Sequence, residues 1–323
     1  MLIRRGIAAL CVAATTLAGL TASQEPVFRS RAETVPVYAT VLGPDDALVT
    51  NLSRDDFQVF DNGRLQPITQ FSASLQPIHI IVMLDMSGSM SGNLDVLRRG
   101  AVQMFTRLLP GDEARVGNFG DRIVISPTFT NDVDTLIRTL YLDLQAGGPT
   151  PLWGAVNAAM AALARADGRR VVLVLSDGKD SGAPGPGGRP SGPTLAQVIQ
   201  RAQAEDFMVY AIGLRSREGG VGLAGRRTRG GTRRPRPRMG EGDEPDPGLR
   251  ELATESGGGY FALTETTDLG EVFARVADEL HRQYLIGYAA PENDGRIHQV
   301  ELRTSNPTLR VQARHSYRAA SSK

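Results

Sequence analysis

One cysteine in 323 residues, one tryptophan and four histidines remove most site chemistries before any motif is read. Cys11 lies inside the N-terminal apolar segment, preceded by Ala9-Leu10, so lipidation there is not expected and the processed chain holds no cysteine. Disulfides, zinc–thiolate sites and cysteine nucleophiles are thereby excluded, and stability has to come from packing. Long hydrophobic runs are scarce as well. The apolar stretch from Ile7 to Leu20 is too short and small-sided for a membrane span. With Arg4 and Arg5 before it and Thr21, Ala22 and Ser23 after it, it reads as a secretory signal over residues 1–23. The expectation is export to the periplasm or cell exterior, with no transmembrane span in the mature chain.

The net charge of +1 conceals an uneven layout. Residues 214–238 carry nine Arg against one acid, Glu218, which leaves the remainder near −7. A hydrophobic content of 41% is enough to bury a core, so disorder of the whole chain is excluded.

Residues 24–77 contain short alternating stretches, among them VPVYATVLG, DDFQVFDNG and PITQFSAS, broken by Gly, Asp and Asn. These predict a β-rich arm. From Ile78 the texture changes to fully apolar runs such as IHIIVML, RRVVLVLS and FMVYAIGL, separated by amphipathic segments of three to four turns. Strands that are apolar on both faces need cover on both faces. Residues 78–283 are therefore expected to form an α/β, doubly wound, mostly parallel sheet. From 284 to 323 the alternation returns in QYLIGYAA, RIHQVELRT and LRVQARHSYR. Neither β-rich arm offers much core alone, which predicts one discontinuous sandwich-like unit. In it Val37, Phe57, Val59 and Phe71 would face Leu285, Ile286, Val300 and Val311. Two stretches, 181–193 and 215–248, are rich in Gly, Pro and Arg and offer no apolar periodicity, so both are expected to be poorly ordered.

Directly after IHIIVML stands DMSGS, placing Asp85, Ser87 and Ser89 in the spacing D-x-S-x-S at a strand's carboxyl end. Hard oxygen ligands on a tight turn suit a small hard cation, and their low charge argues against a closed Ca2+ cage. Taken alone, the motif also reads as a turn and helix cap. GGPTPLWGAV adds Thr150 in a glycine-rich loop before a helix, and VVLVLSDGKD adds Asp177 at the end of a second apolar strand. In doubly wound sheets such ends converge where the strand order reverses.

DMSGS, GGPTPL and LSDG together, in this order within the region of residues 78–283, resemble the metal-ion-dependent adhesion site of von Willebrand factor A domains. The resemblance implies Asp85, Ser87, Ser89, Thr150 and Asp177 as ligands, the hydroxyls directly and the aspartates directly or through water. It implies Mg2+, with Mn2+ or Ca2+ as alternatives. Pro149 before Thr150 departs from the commoner loop and is expected to stiffen it. More loosely, DDFQVFDNG before and QYLIGY after the domain resemble bacterial exported proteins of this kind. A dication held by hydroxyls and one or two carboxylates keeps an open position, so the expected partner is a protein presenting Asp or Glu, and the expected role is adhesion or interaction. The alternative is a subunit of an envelope-associated assembly or an ATPase-linked maturation complex.

Other signals carry less. No nucleophile with an adjacent base is visible, and His79, His281, His298 and His315 sit away from the motif, so the chain is not read as an enzyme and the histidines are read as structural or surface residues. G-x-G-x-x-G at Gly220, Gly222 and Gly225 opens no apolar helix. A phosphotransfer aspartate of the haloacid-dehalogenase type would need Asp where Ser87 stands. The arginines of 226–238 lack interleaved aromatics, which excludes nucleic acid as the favoured partner and leaves a solvated loop, or binding to an anionic envelope polymer. Trp153 is read as a helix-packing residue.

Overall fold

The computed structural model describes residues 34–142, 147–184, 190–214, 247–263 and 269–321. The expected signal segment, and the Arg-rich insertion up to residue 246, lie outside the described residues. No helix among the described residues is long and apolar enough to cross a membrane.

The described residues begin with four strands, β1 (Thr34–Leu42), β2 (Phe57–Asp61), β3 (Arg64–Gln66) and β4 (Ile68–Ser72). The α/β region follows: β5 (Ile78–Asp85), α1 (Leu94–Phe105), β6 (Glu113–Phe119), β7 (Ile123–Ile125), α2 (Val133–Leu142), α3 (Leu152–Leu163), β8 (Arg169–Ser176), β9 (Ala183–Pro184), β10 (Pro190–Ser191), α4 (Leu195–Glu205), β11 (Phe207–Leu214), α5 (Pro247–Glu255), β12 (Tyr260–Leu263) and α6 (Leu269–His281). Four strands close the chain, β13 (Tyr284–Ala289), β14 (Ile297–Thr304), β15 (Arg310–Ala313) and β16 (Ser316–Arg318).

The central sheet has the order β12-β11-β8-β5-β6-β7. All its pairings are parallel except that of the edge strand β7 with β6. β5 shows why the sequence chose this arrangement. Ile78, Ile80, Val82 and Leu84 enter one core with Leu97 and Phe105 of α1 and Phe273 of α6. Ile81 and Met83 enter the other, with Val156 and Met160 of α3 and Leu252 of α5. A period-two strand with apolar residues on both faces is buried only between two helical layers. α4 begins with a capping box, in which the Thr194 side chain accepts from the Gln197 backbone amide and the Gln197 side chain accepts from that of Thr194.

The strands of the two flanking arms form two antiparallel sheets, β15-β1-β13-β4 and β16-β14-β2-β3. Both arms contribute to both sheets. β1 pairs with β13 and β15, and β2 pairs with β14. One core lies between the sheets, with Val37 and Ile286 from the first and Phe57, Val59 and Val300 from the second. The facing pattern therefore differs from the expectation of one arm opposite the other. Leu285 pairs with Tyr38 and points away from Ile286, so it leaves this core.

Three boundaries also differ. LRVQARHSYR is not one strand but β15 and β16, which belong to different sheets. Pro247 and Gly248 open α5, where Pro at the first turn costs no hydrogen bond, so the insertion ends earlier than residue 248. Within 181–193, β9 and β10 pair antiparallel through Ala183 with Ser191 and Pro184 with Pro190; residues 185–189 lie outside the described residues.

Polar contacts join the antiparallel sheets to the α/β layers. The buried Arg169 donates to the Leu280 carbonyl and to Gln283 and stacks 4.8 Å from the Tyr38 ring centroid. Arg314 bridges Asp206, at 2.7 Å, and the Pro36 carbonyl.

Candidate metal centre at the carboxyl edge of the central sheet

β5 leads through α1 to β6 on one side, and the chain later returns to β8 on the other. The order reverses between β5 and β8, and the carboxyl ends of these two neighbours supply Asp85 and the Ser176-Asp177 pair. Asp85 is fully buried. Its Oδ1 accepts the Ser87 amide at 2.9 Å and its Oδ2 accepts the Ser176 hydroxyl. The hydroxyls of Ser87 and Ser89 lie 3.1 Å apart, with Ser87 buried and Ser89 half-buried.

The Thr150 loop is attached by its backbone to both neighbouring segments. The Gly147 amide donates to the Met86 carbonyl at 2.8 Å, and the Gly88 amide reaches the Gly148 carbonyl at 3.4 Å. On the other side the Thr150 amide donates to Ser181 Oγ at 2.7 Å, and the Ser181 amide returns to the Thr150 carbonyl at 2.9 Å. Asp180 accepts from the Trp153 amide at the start of α3, where the unpaired amides and the helix dipole favour an anion. Gly148 has φ +84°, and a Cβ there would lie 1.9 Å from Asp121 Oδ1; only glycine lets the loop lie this close to the end of β6. Trp153 packs in the core beneath the loop.

All five sequence-predicted residues thus lie on three segments held at one edge. The side-chain bonds join Asp85 with Ser87's amide and Ser87 with Ser89, while Thr150 is held there through its backbone. Asp177 is 0% exposed. Its Oδ1 accepts the Lys179 amide at 3.2 Å, and its Oδ2 is buried with no hydrogen-bond partner. Burial pushes the Asp85 carboxyl up to about 6, against hydrogen bonds from Ser176 and Ser87 that lower it, and the neighbouring Asp177 charge adds to the rise. Two carboxylates that repel each other out of water, one of them with an orphaned oxygen, at the same edge as the hydroxyls of Ser87 and Ser89 and the Thr150 loop, form a donor set that fits a small hard dication.

Sequence reasoning missed Ser176, Asp180 and Ser181. Ser176 both donates to Asp85 and accepts the Gly178 amide at 3.0 Å. Its place before Asp177 in the same strand end was the available signal.

Residues 80–179 match the model of the von Willebrand factor type A domain. The α/β region has a fold like that domain's, with a mostly parallel central sheet, and the antiparallel sheets of the flanking segments are additional to it. No curated protein matches the chain. Among solved structures, a von Willebrand factor type A protein from Catenulispora acidiphila is 15% identical, with 92% of this chain and 76% of that one covered and a TM-score of 0.48. An aerotolerance-related membrane protein from Bacteroides fragilis is 16% identical over 63% of this chain and 98% of its own, with a TM-score of 0.45. Proximal thread matrix protein 1 from the mussel byssus, solved with a zinc-occupied MIDAS motif, is 15% identical over 69% of this chain and 50% of its own, with a TM-score of 0.47.

Proposed function

We propose that the chain is an exported, cation-dependent protein-binding module. Asp85, Ser87, Ser89, Thr150 and Asp177 hold one divalent cation, Mg2+ by the hardness of the donors, and a carboxylate of a protein partner completes its shell. The observation that carries this reading is the buried, orphaned Oδ2 of Asp177 beside the buried Asp85. Two such carboxylates are costly to keep together without a compensating positive charge. The bound ion supplies an electrophilic open position for an acidic side chain. The chain's own residues do the rest: Ser176 orients Asp85, and the backbone bonds from the Thr150 loop to both neighbouring segments fix the spacing of the three segments.

The placement of the histidines supports binding rather than catalysis. His79 faces Glu113, His281 faces Asp112, His298 faces Asp61 and His315 approaches Glu255; none of these partners is among the five ligand residues. Export rests on the N-terminal segment alone. The test is calorimetric titration of Mg2+ into the wild type and into Asp85→Ala. The reading expects a saturable isotherm that the substitution abolishes while the circular dichroism spectrum is retained. An unchanged isotherm sinks the site assignment.

A further inference from the structure

A second set of ligand-type side chains stands in the antiparallel region. Glu292 and Asp294 lie in the connection from β13 to β14, and His298 is the second residue of β14; one ligand atom from each lies within 4.8 Å of the others. The two acids are exposed and the His298 side chain is only 3% exposed. The loop is held in place. Asp294 Oδ1 accepts the Arg296 amide at 2.8 Å, Gly295 turns the chain at φ +72°, and the Gly295 amide donates to the Ala320 carbonyl at 3.0 Å.

The imidazole, rather than the acids, points to a ligand. His298 Nδ1 lies 2.7 Å from Asp61 Oδ1. Asp61 is buried at the end of β2, and its Oδ2 already accepts the hydroxyls of Tyr288 at 2.9 Å and Tyr317 at 2.8 Å. An ionised carboxylate only accepts, so Nδ1 carries the proton. In the neutral ring Nε2 then presents a lone pair, and what it faces, at 3.2 Å, is another acceptor, Asp294 Oδ1. Two acceptors aimed at each other require a positive species between them: a second proton on the ring, or a cation shared with the acids. The exposed Arg296, whose Nε is 3.7 Å from Asp294 Oδ2, touches only the outer oxygen.

We propose that His298 Nε2, Asp294 and Glu292 form a second metal site, for a transition dication of the zinc class, with Asp61 as its positioning residue. One imidazole nitrogen with two carboxylate oxygens is a donor set that zinc accepts and that Mg2+, which prefers oxygen alone, does not. The Asp61–His298 bond fixes the tautomer and ring angle, as a carboxylate behind a ligating histidine does at metal sites generally. Three protein ligands leave the fourth position to water. Binding here ties the β13–β14 connection to β14 and, through Asp61, to β2, so the ion stabilises the antiparallel unit by mass action.

The experiment is Zn2+ titration of the full chain carrying Asp85→Ala, followed calorimetrically, with the same titration in Asp85→Ala/Glu292→Gln/Asp294→Asn. Both added substitutions are at exposed loop positions, so the fold is retained. The first protein should take up one equivalent of Zn2+ that millimolar Mg2+ does not displace. In the second, affinity should fall by about tenfold or more. Nitrogen-15 spectra of the wild-type histidine rings give a readout independent of the variants: on adding Zn2+, His298 Nε2 should move to a metal-bound shift while Nδ1 stays protonated. Equal Zn2+ uptake by both proteins overturns the proposal. So does a His298 ring that keeps protons on both nitrogens in the presence of Zn2+, since a proton alone then bridges the acids.

Discussion

Asp61 in the antiparallel sheets and Asp177 in the central sheet are both buried carboxylates, and they differ in what surrounds them. Asp61 has a donor on every side, from His298, Tyr288 and Tyr317. Asp177 has one backbone amide and an oxygen with nothing. A carboxylate whose lone pairs are filled by protein donors is a packing element, and removing it strands those donors. A carboxylate left short of donors is kept at a cost of about 1–3 kcal/mol, and that cost makes sense where something else completes its shell. The difference also separates the two sites: the antiparallel sheets satisfy their buried acid internally, while the strand ends of the parallel sheet hold a buried carboxylate oxygen that no protein donor meets.

The largest test removes the partners altogether. A chain ending at Arg282 keeps β1 to β4 but loses β13, β14 and β15, the strands with which β1, β2 and β4 pair across the two sheets. Proton NMR should show residues 34–72 collapsed to random-coil dispersion and unprotected from exchange; dispersed, protected amides there would mean that the N-terminal arm folds alone. Next in size is Asp61→Asn, which puts an amide where three donors converge. Leaving buried donors of this kind without their acceptor costs about 1–3 kcal/mol each, read as a drop in the urea midpoint with little change in slope. A loss below about 1 kcal/mol would show that the network is not the packing element described above.

The fold class was legible because its signal is local. The apolar run of β5 and the amphipathic α1 and α3 each carry their own periodicity, and the D-x-S-x-S turn, Thr150 and Asp177 stand beside strands that any reader of the sequence can place. What was illegible depends on distant pairs. His298 and Asp61 are 237 residues apart, so nothing in RIHQVELRT separates a buried, oriented imidazole from a surface one. Leu285 and Ile286 are both apolar in QYLIGY, and which of them enters the sandwich is decided by the register of β13 on β1. The break between β15 and β16 is likewise a matter of which sheet each joins. The role of Ser176 depends on β8 lying beside β5, which the sequence order does not reveal.

Asp112 sharpens the comparison, because it lies in the α/β region yet is satisfied like Asp61. It accepts from the Ile78 amide at 3.0 Å, the Leu109 amide at 2.7 Å and His281 at 2.7 Å. Burial raises its pKa, but the bonds from His281, Leu109 and Ile78 outweigh this and hold it below the ordinary 3.8. A group depressed in the folded state contributes stability above its unfolded value and loses it as pH falls through the folded one. Wild-type stability should therefore decline below about pH 4 through this group. Asp112→Asn should cost about 1–3 kcal/mol at pH 7 and show a shallower decline on the acid side, measured by denaturant titration at several pH values. An identical acid slope in both proteins would separate Asp112 from the satisfied class.

The smallest expected effect on stability is at Asp177 itself. Asn in its place keeps an Oδ1 for the Lys179 amide and removes a buried negative charge that no donor meets at Oδ2 and that repels Asp85. In chelator, Asp177→Asn should lie within about 1 kcal/mol of the wild type, against the several expected for the same change at Asp61. Mg2+ binding should nevertheless be lost, because an amide supplies no charge to the dication. The two substitutions are chemically identical and both positions are buried, so any gap between them reports the donors around each carboxylate rather than burial. If Asp177→Asn destabilised the chelated protein as much as Asp61→Asn, its Oδ2 would have a structural partner in solution, and the contrast between the two carboxylates would disappear.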